Sequence, residues 1–234
     1  MSRIIVINKP KGPTSHDIID AIRKITGEQR IGHAGTLDPL ASGVLVVGIG
    51  REATRQLGLI VKKEKEYLAT IKLGEYSSTD DEEGEKINVV GTALELSDRL
   101  DAEGTLSPNP LLGKEEVIET ALSAFVGEVY QRPPPFSAIK IKGVPAYKLA
   151  RRGVGNAYMR SVLAPRKVLI KSIELLEYAW PILKIRVVCG PGVYIRSLAR
   201  DIGETLGVGG YLKELERTRV GDFKIEEAVM DITL

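Results

Sequence analysis

Asp38 is the residue whose surroundings best suit it to chemistry. It lies in GHAGTLDPLASG, residues 32–43. The glycines at 32, 35 and 43 open backbone conformations that residues with a Cβ resist, and Pro39 pushes Asp38 away from the helical region. Such a loop aims a carboxylate, which suits a nucleophile or a general base. The plain alternative is a turn, because Asp before Pro commonly accepts a backbone hydrogen bond. His33 is open to three readings: general base, phosphate or base contact, or loop hydrogen-bonder. Tyr67 lies on an alternating segment and reads locally as a packed aromatic. Arg196, in CGPGVYIRSL, reads locally as a surface cation near a helix start. Taken singly, each of the four favours the plain reading; their combination is what points to chemistry.

Other chemistries find less support. Val46 to Ala53 reads VVGIGREA, an apolar run followed by GxGxxA that superficially fits a dinucleotide-binding turn. The downstream acid that would hold a ribose is missing, since Tyr67 to Thr70 offers none. The pattern therefore reads as a strand leaving a sheet through a glycine turn, against a nicotinamide or flavin oxidoreductase. One cysteine, Cys189, and two histidines fall short of a structural zinc set, and no internal disulfide is possible. The expectation is a cytoplasmic protein with no metal and no cofactor. The N-terminal apolar run ends at Asn8-Lys9-Pro10 without a signal-peptide cleavage pattern, and nowhere do about 18 apolar residues run together. No membrane span is expected.

Charge placement says more than the net +2. Arg132 to Lys171 holds ten cations and no Asp or Glu, interleaved with Phe136, Tyr147 and Tyr158. Such a stretch suits a polyanion with exposed bases such as RNA, and equally suits a solvated surface lobe. Asp80 to Glu85, DDEEGE, reads as an acidic tip.

The elements that must position these residues follow from periodicity. Arg3 to Asn8 reads as a short buried strand; Thr14 or Ser15 then caps a helix with Ile18, Ile19, Ile22 and Ile25 at helical spacing, stopped by Gly27. Val44 to Ile49 and Tyr67 to Leu73 read as strands, so the Asp38 loop leads directly into sheet. Glu75 to Pro110 is acidic and turn-rich with a short strand at Ile87 to Val90, and Glu115 to Phe125 reads as an amphipathic helix. Gln131-Arg132-Pro133-Pro134-Pro135 breaks regular structure, so the basic stretch after it is expected to project as a hairpin and short helix. Val168 to Tyr178 and Ile182 to Val188 read as strands, and Tyr194 to Leu206 as a helix ending at Gly207. Without regular βαβ alternation the fold class is α+β.

The order of motifs resembles the TruB family of pseudouridine synthases over nearly the whole chain. NKPKGPTSHD at Asn8 to Asp17 is similar to the family's first box, followed by GHAGTLDPLASG and by KEYLATIKLG at Lys65 to Gly74. QRPPPFSAIKIKGVPAYKLARRG at Gln131 to Gly153 resembles its RNA-clasping insertion, here about residues 131–160. CGPGVYIRSLARDIGETLG at Cys189 to Gly207 and GGYLKELERTRVGDF at Gly209 to Phe223 complete the order. One departure stands out: the box before Tyr194 reads Gly190-Pro191-Gly192-Val193, without the hydroxyl that the family's version carries.

This resemblance implies a bent, mixed and largely antiparallel central sheet flanked by helices and loops, with an active-site cleft across its middle. The implied activity is isomerisation of a uridine in the T loop of tRNA to pseudouridine, without a cofactor, after the base is flipped out. Asp38 matches the catalytic aspartate, Tyr67 the tyrosine stacked on the target base, and Arg196 the arginine paired with that aspartate. Leu215 matches an apolar residue lining the uracil pocket, His33 a histidine that holds the RNA loop open, and Lys9 with Pro10 a box supporting the catalytic loop. Lys140, Lys142, Lys148, Arg151 and Arg152 are expected to grip T-arm phosphates. The chemistry needs a carboxylate to attack the ribose or take a proton, a pocket for the freed uracil and a group that helps remove the C5 proton, roles open to Asp38, Leu215 and Tyr67. Residues 1–234 are expected to form one catalytic domain, lacking the small C-terminal RNA-binding domain (PUA type) of bacterial relatives, and to act as a monomer on tRNA with no obligate protein partner. The alternative is a non-catalytic RNA-binding or RNA-folding module that keeps the cleft.

Overall fold

The computed structural model describes residues 2–88 and 115–229. In chain order the elements are β1 (Arg3–Lys9), α1 (Ser15–Thr26), β2 (Ile31–His33), β3 (Ala41–Ile49), α2 (Arg51–Ile60), β4 (Lys65–Leu73), β5 (Glu75–Ser77), β6 (Lys86–Asn88), α3 (Glu115–Ser123) and β7 (Gly127–Gln131). Then come β8 (Lys140–Ile141), β9 (Val144–Pro145), α4 (Ala146–Arg151), α5 (Asn156–Val162), β10 (Arg166–Ala179), β11 (Ile182–Cys189), α6 (Ile195–Thr205), β12 (Gly210–Val220) and β13 (Phe223–Lys224). The class is α+β. The described part of the chain forms two compact units, and β4, β11 and β12 each begin in one and end in the other.

The first unit comprises described residues within 1–68, 186–191 and 214–234. Its strand order is β1-β3-β12-β4-β11. β1 pairs antiparallel with β3 from Arg3 opposite Ile49 to Lys9 opposite Gly43. On the other edge of β3, β2 covers Val47 to Ile49 antiparallel, and β12 covers Ala41 to Gly43 in parallel. The sheet is therefore mixed, and residues 34–40 leave it where β12 takes over from β2. Val6, Ala34, Val44, Val46, Leu57, Ile60 and Val220 form a core. α1 starts on a capping box between Thr14 and Asp17 and ends at Gly27, whose φ is +68°. Its buried stripe is Ile18, Ile19 and Ile22; Ile25, expected on the same stripe, is exposed. The glycine turn at Gly50 leads from β3 into α2, a helix that buries Ala53, Leu57 and Ile60. Ser2 accepts from the Ala53 N–H at 2.8 Å at the start of that helix.

The second unit comprises described residues within 69–185 and 192–213, with strand order β12-β4-β11-β10-β7. β7 pairs antiparallel with β10, from Gln131 opposite Arg166 to Gly127 opposite Ile170. The basic insertion folds as the β8–β9 hairpin and the helices α4 and α5 around a core of Ala146, Met159 and Leu163. This matches the hairpin and helix expected there. Asp80 and Asp81 correct one expectation: far from forming an acidic tip, both are buried. The strand expected at Ile87 to Val90 is seen as Lys86–Asn88 against β5, while Val89, Val90 and the rest of the acidic, turn-rich segment to Pro110 lie outside the described residues. Among the described residues no helix is long and apolar enough to cross a membrane.

Candidate active site

The loop carrying Asp38 is held from both sides by its neighbours. The buried Ser15 hydroxyl accepts from the Leu37 N–H at 2.9 Å and donates to the Leu37 carbonyl at 3.0 Å. On the far side Gly12 N–H donates to the Pro39 carbonyl at 2.8 Å, and Ala41 N–H to the Asp38 carbonyl at 3.0 Å. Leu37 and Leu40 are buried, whereas Asp38 between them remains partly exposed. Backbone bonds thus fix the chain on both sides of Asp38, a residue left partly exposed between two buried leucines.

Beneath this loop runs Arg217, one of the most completely buried side chains of the protein. Its Nε donates to the Val44 carbonyl at 2.8 Å, and its terminal nitrogens to the Gly35 carbonyl at 3.0 Å and the Thr36 carbonyl at 3.4 Å. One guanidinium therefore ties the chain just before Asp38 to the strand just after it. The parallel register sets this up: Leu215 lies opposite Ala41 and Arg217 opposite Gly43. Gly43 has φ +102°, and a Cβ built there would sit 2.3 Å from the Arg217 carbonyl oxygen. Only glycine permits that approach.

Tyr67 is buried and its hydroxyl meets the Arg217 guanidinium. Burial pushes its phenol above the ordinary value, with the Arg217 charge opposing. Lys9 is fully buried, its ammonium donating to the carbonyls of Pro10 at 2.8 Å and Pro13 at 2.9 Å. Burial lowers it to about 8, Asp38 pulls it back up and Arg217 pushes it down. Lys65 is likewise buried, donating to the carbonyls of Val61 and Lys63, both at 2.9 Å, and lowered by burial and then by Arg217. His33 is half-buried, edge-on to His16 with ring centroids 6.3 Å apart, and burial followed by the His16 and Arg217 charges holds it below its ordinary value. The first unit thus holds Lys9, His33, Asp38, Tyr67 and Leu215, and adds two residues with no expected role, Arg217 and Lys65.

Arg196 belongs to the second unit, in the first turn of α6, and it is buried where local sequence suggested a surface cation. It donates to the Phe136 carbonyl at 2.9 Å, the Thr79 carbonyl at 3.5 Å and Asp81 Oδ2 at 3.4 Å. One helical turn on, Arg200 donates to Asp80 Oδ2 and Arg160 to Asp80 Oδ1, each at 2.8 Å. Gln131 closes the other side, accepting from Tyr194 N–H at 2.8 Å and donating to its carbonyl at 3.1 Å. Arg160 and Arg132, two of the ten cations of the basic stretch, are therefore internal ties; Arg132 bonds the Arg160 and Leu163 carbonyls. By contrast Lys140, Lys142, Lys148, Arg151 and Arg152 are all exposed.

The family model for the N-terminal domain of TruB family pseudouridylate synthases matches residues 23–98 and 89–195, and that for the tRNA pseudouridylate synthase B C-terminal domain matches residues 196–233. Over 230 residues the chain is 44% identical to tRNA pseudouridine synthase B of Mycobacterium sp. (strain KMS), covering 96% of this chain and 69% of that one. With the Thermobifida fusca (strain YX) protein of the same name the identity is 40%, covering 96% and 71%. Among solved structures, a Cbf5-Nop10-Gar1 complex aligns with TM-score 0.65 and 32% identity over 94% of this chain and 49% of that chain. An H/ACA RNP bound to a substrate RNA containing 2'-deoxyuridine aligns with TM-score 0.64 and 29% identity over 97% and 50%. The chain thus spans about half the length of these structural relatives. By these family models and relatives the chain belongs to the TruB family of pseudouridylate synthases.

Proposed function

We propose that the protein isomerises a uridine in the T loop of tRNA to pseudouridine, with Asp38 as the reacting carboxylate. The observation that carries this reading is the mounting of Asp38: a partly exposed acidic residue on a loop fixed by Ser15, Gly12 and the buried Arg217 fork. The name shared by its relatives, tRNA pseudouridine synthase B, supplies the substrate class.

The reaction breaks the bond between N1 of uracil and C1′ of ribose, turns the base and joins C5 to C1′; the C5 proton is released and N1 takes up a proton, so the product is an isomer of the substrate. Asp38 starts it as a nucleophile or a base. Leu215 lines the space in which the freed uracil turns. Tyr67 stacks on the base as a neutral phenol, since its raised pKa leaves almost no phenolate near neutrality. By family resemblance Arg196 is the arginine that pairs with the catalytic aspartate, although within its own unit it bonds Asp81 and the Phe136 carbonyl; His33, held below its ordinary value by burial, fills the gap left by the flipped base. The exposed Lys140, Lys142, Lys148, Arg151 and Arg152 hold T-arm phosphates, so binding weakens as salt rises.

The test uses T-arm stem-loops whose uridines carry tritium at C5. Tritium is expected to leave from one T-loop uridine and to stay when that uridine is replaced by cytidine. Retention of all tritium, or release from other uridines alone, would overturn the reading.

A further inference from the structure

The basic insertion contains a cleft of about 350 Å³ between its hairpin and α5. Ile141, Val162 and Leu163 supply apolar lining, and Tyr158 stands at the cleft with half of its surface exposed, at 52%. Three further lining residues are cations, Lys140, Lys142 and Arg166, all exposed. Among the described residues no carboxylate lines the cleft, and none occurs in the sequence from Arg132 to Lys171. The contrast with the next residue is informative: Lys167 is paired with Glu128 at 2.7 Å, while no such pair is formed by Lys140, Lys142 or Arg166 among the described residues.

An apolar slot with one exposed aromatic face and three uncompensated cations matches a ligand that is planar and apolar on its faces and anionic along one side. A nucleotide has that form. The volume sits at the lower end of the range for small-ligand sites, about 300–1,000 Å³. That space is enough for one nucleotide. Stacking on tyrosine is tolerant of base identity, and phosphate contacts add register.

We propose that this cleft is a second RNA subsite, which takes one unpaired nucleotide with its base against Tyr158 and its phosphates on Lys140, Lys142 and Arg166. The proposal rests on the reading that the chain acts on RNA. The uridine that reacts at Asp38 is not its occupant. The cleft holds a different unpaired nucleotide of the same molecule and strengthens the grip of the insertion.

The experiment measures binding of a fluorescent T-arm stem-loop to the full chain, alongside tritium release at saturating RNA. Tyr158→Ala is expected to weaken binding about 10-fold and leave release at saturation unchanged, whereas Tyr158→Phe, which keeps the stacking face, binds as the wild type does. With 4-thiouridine placed at each unpaired position in turn, one position other than the target is expected to crosslink to Tyr158. A variant that tests the cleft without touching the aromatic, Arg166→Glu, is expected to weaken binding and reduce its salt dependence. Wild-type binding by both Tyr158→Ala and Arg166→Glu overturns the subsite while leaving the enzymatic reading intact. Failure of the wild type to bind the stem-loop overturns both.

Discussion

In the first unit the buried cations Lys9, Lys65 and Arg217 donate to backbone carbonyls; in the second, the buried Arg196 and Arg200 and the half-buried Arg160 reach carboxylates as well, those of Asp80, Asp81 and Asp201. The difference lies in what happens to the charge. A carbonyl satisfies the hydrogen bond without cancelling the cation, and Lys9 registers both neighbouring charges, raised by Asp38 and lowered by Arg217. A carboxylate cancels the cation, and the second cluster becomes an internal fastening for α6 and the insertion. Buried arginines therefore do two jobs in one chain: Arg217 shapes the Asp38 loop, and Arg200 fastens a scaffold.

The largest effect should come from breaking the fastening. Asp80→Asn removes the carboxylate that Arg160 and Arg200 share, Arg200 keeping Asp201 at 2.6 Å, and loss of one partner of a buried pair costs about 3–5 kcal/mol. Denaturant unfolding checks it, and a loss below about 1 kcal/mol would mean that the cluster is not acting as a unit. Next comes Gly43→Ala, which combines a left-handed φ with the collision against Arg217. It should cost about 2–4 kcal/mol. Gly153→Ala is the control, since Gly153 has φ +81° with open space around it, and it should cost only about 1 kcal/mol of strain. Equal losses for the two glycines would remove the argument from close approach.

A smaller and more specific effect is expected for Arg217→Lys. Lysine keeps the charge and loses the planar fork that spans Gly35, Thr36 and Val44. Turnover should fall about 10-fold, or about 1.4 kcal/mol, with KM nearly unchanged. An unchanged kcat would leave Arg217 as packing. The smallest effect is a pH dependence. Lys9 ionises near 8 when folded against 10.5 for a free lysine, so between these values the unfolded chain binds more protons and the Lys9 contribution to stability rises with pH. Below about 8 both states hold the proton and the burial cost is fully present. The stability difference between wild type and Lys9→Met should therefore move in favour of wild type from pH 8 to 10.5, and a flat difference would contradict the cost assigned to burying Lys9.

Much of the fold was legible in the sequence because its signals are local. The capping box at Thr14 and the apolar runs into β3 and β4 depend on neighbours within a few residues. The Asp38 loop was legible for the same reason, as glycine and proline constrain their own backbone. Arg217 was invisible because its role arises from a parallel register with Gly43, far away in the chain. Asp80 and Asp81 misled for a related reason: a run of acids reads as a solvated tip until cations 80 to 120 positions later supply partners. For α2 a signal existed, Ala53, Leu57 and Ile60 at helical spacing, but the preceding glycines drew attention to the turn. Strand β12 was likewise hidden, its segment reading as a family motif before it read as alternation.

The central claim is that Asp38 performs the chemistry and is more than a turn residue. The most direct test incubates wild type and Asp38→Asn with the same tRNA at equal occupancy, digests the RNA and quantifies pseudouridine at the T-loop position. Asparagine keeps the size of the side chain and can still accept a turn hydrogen bond, so the loop should hold. The account predicts one pseudouridine per tRNA from the wild type and a rate at least about 10³-fold lower from Asp38→Asn, with RNA binding retained. Equal pseudouridine from both proteins would contradict it.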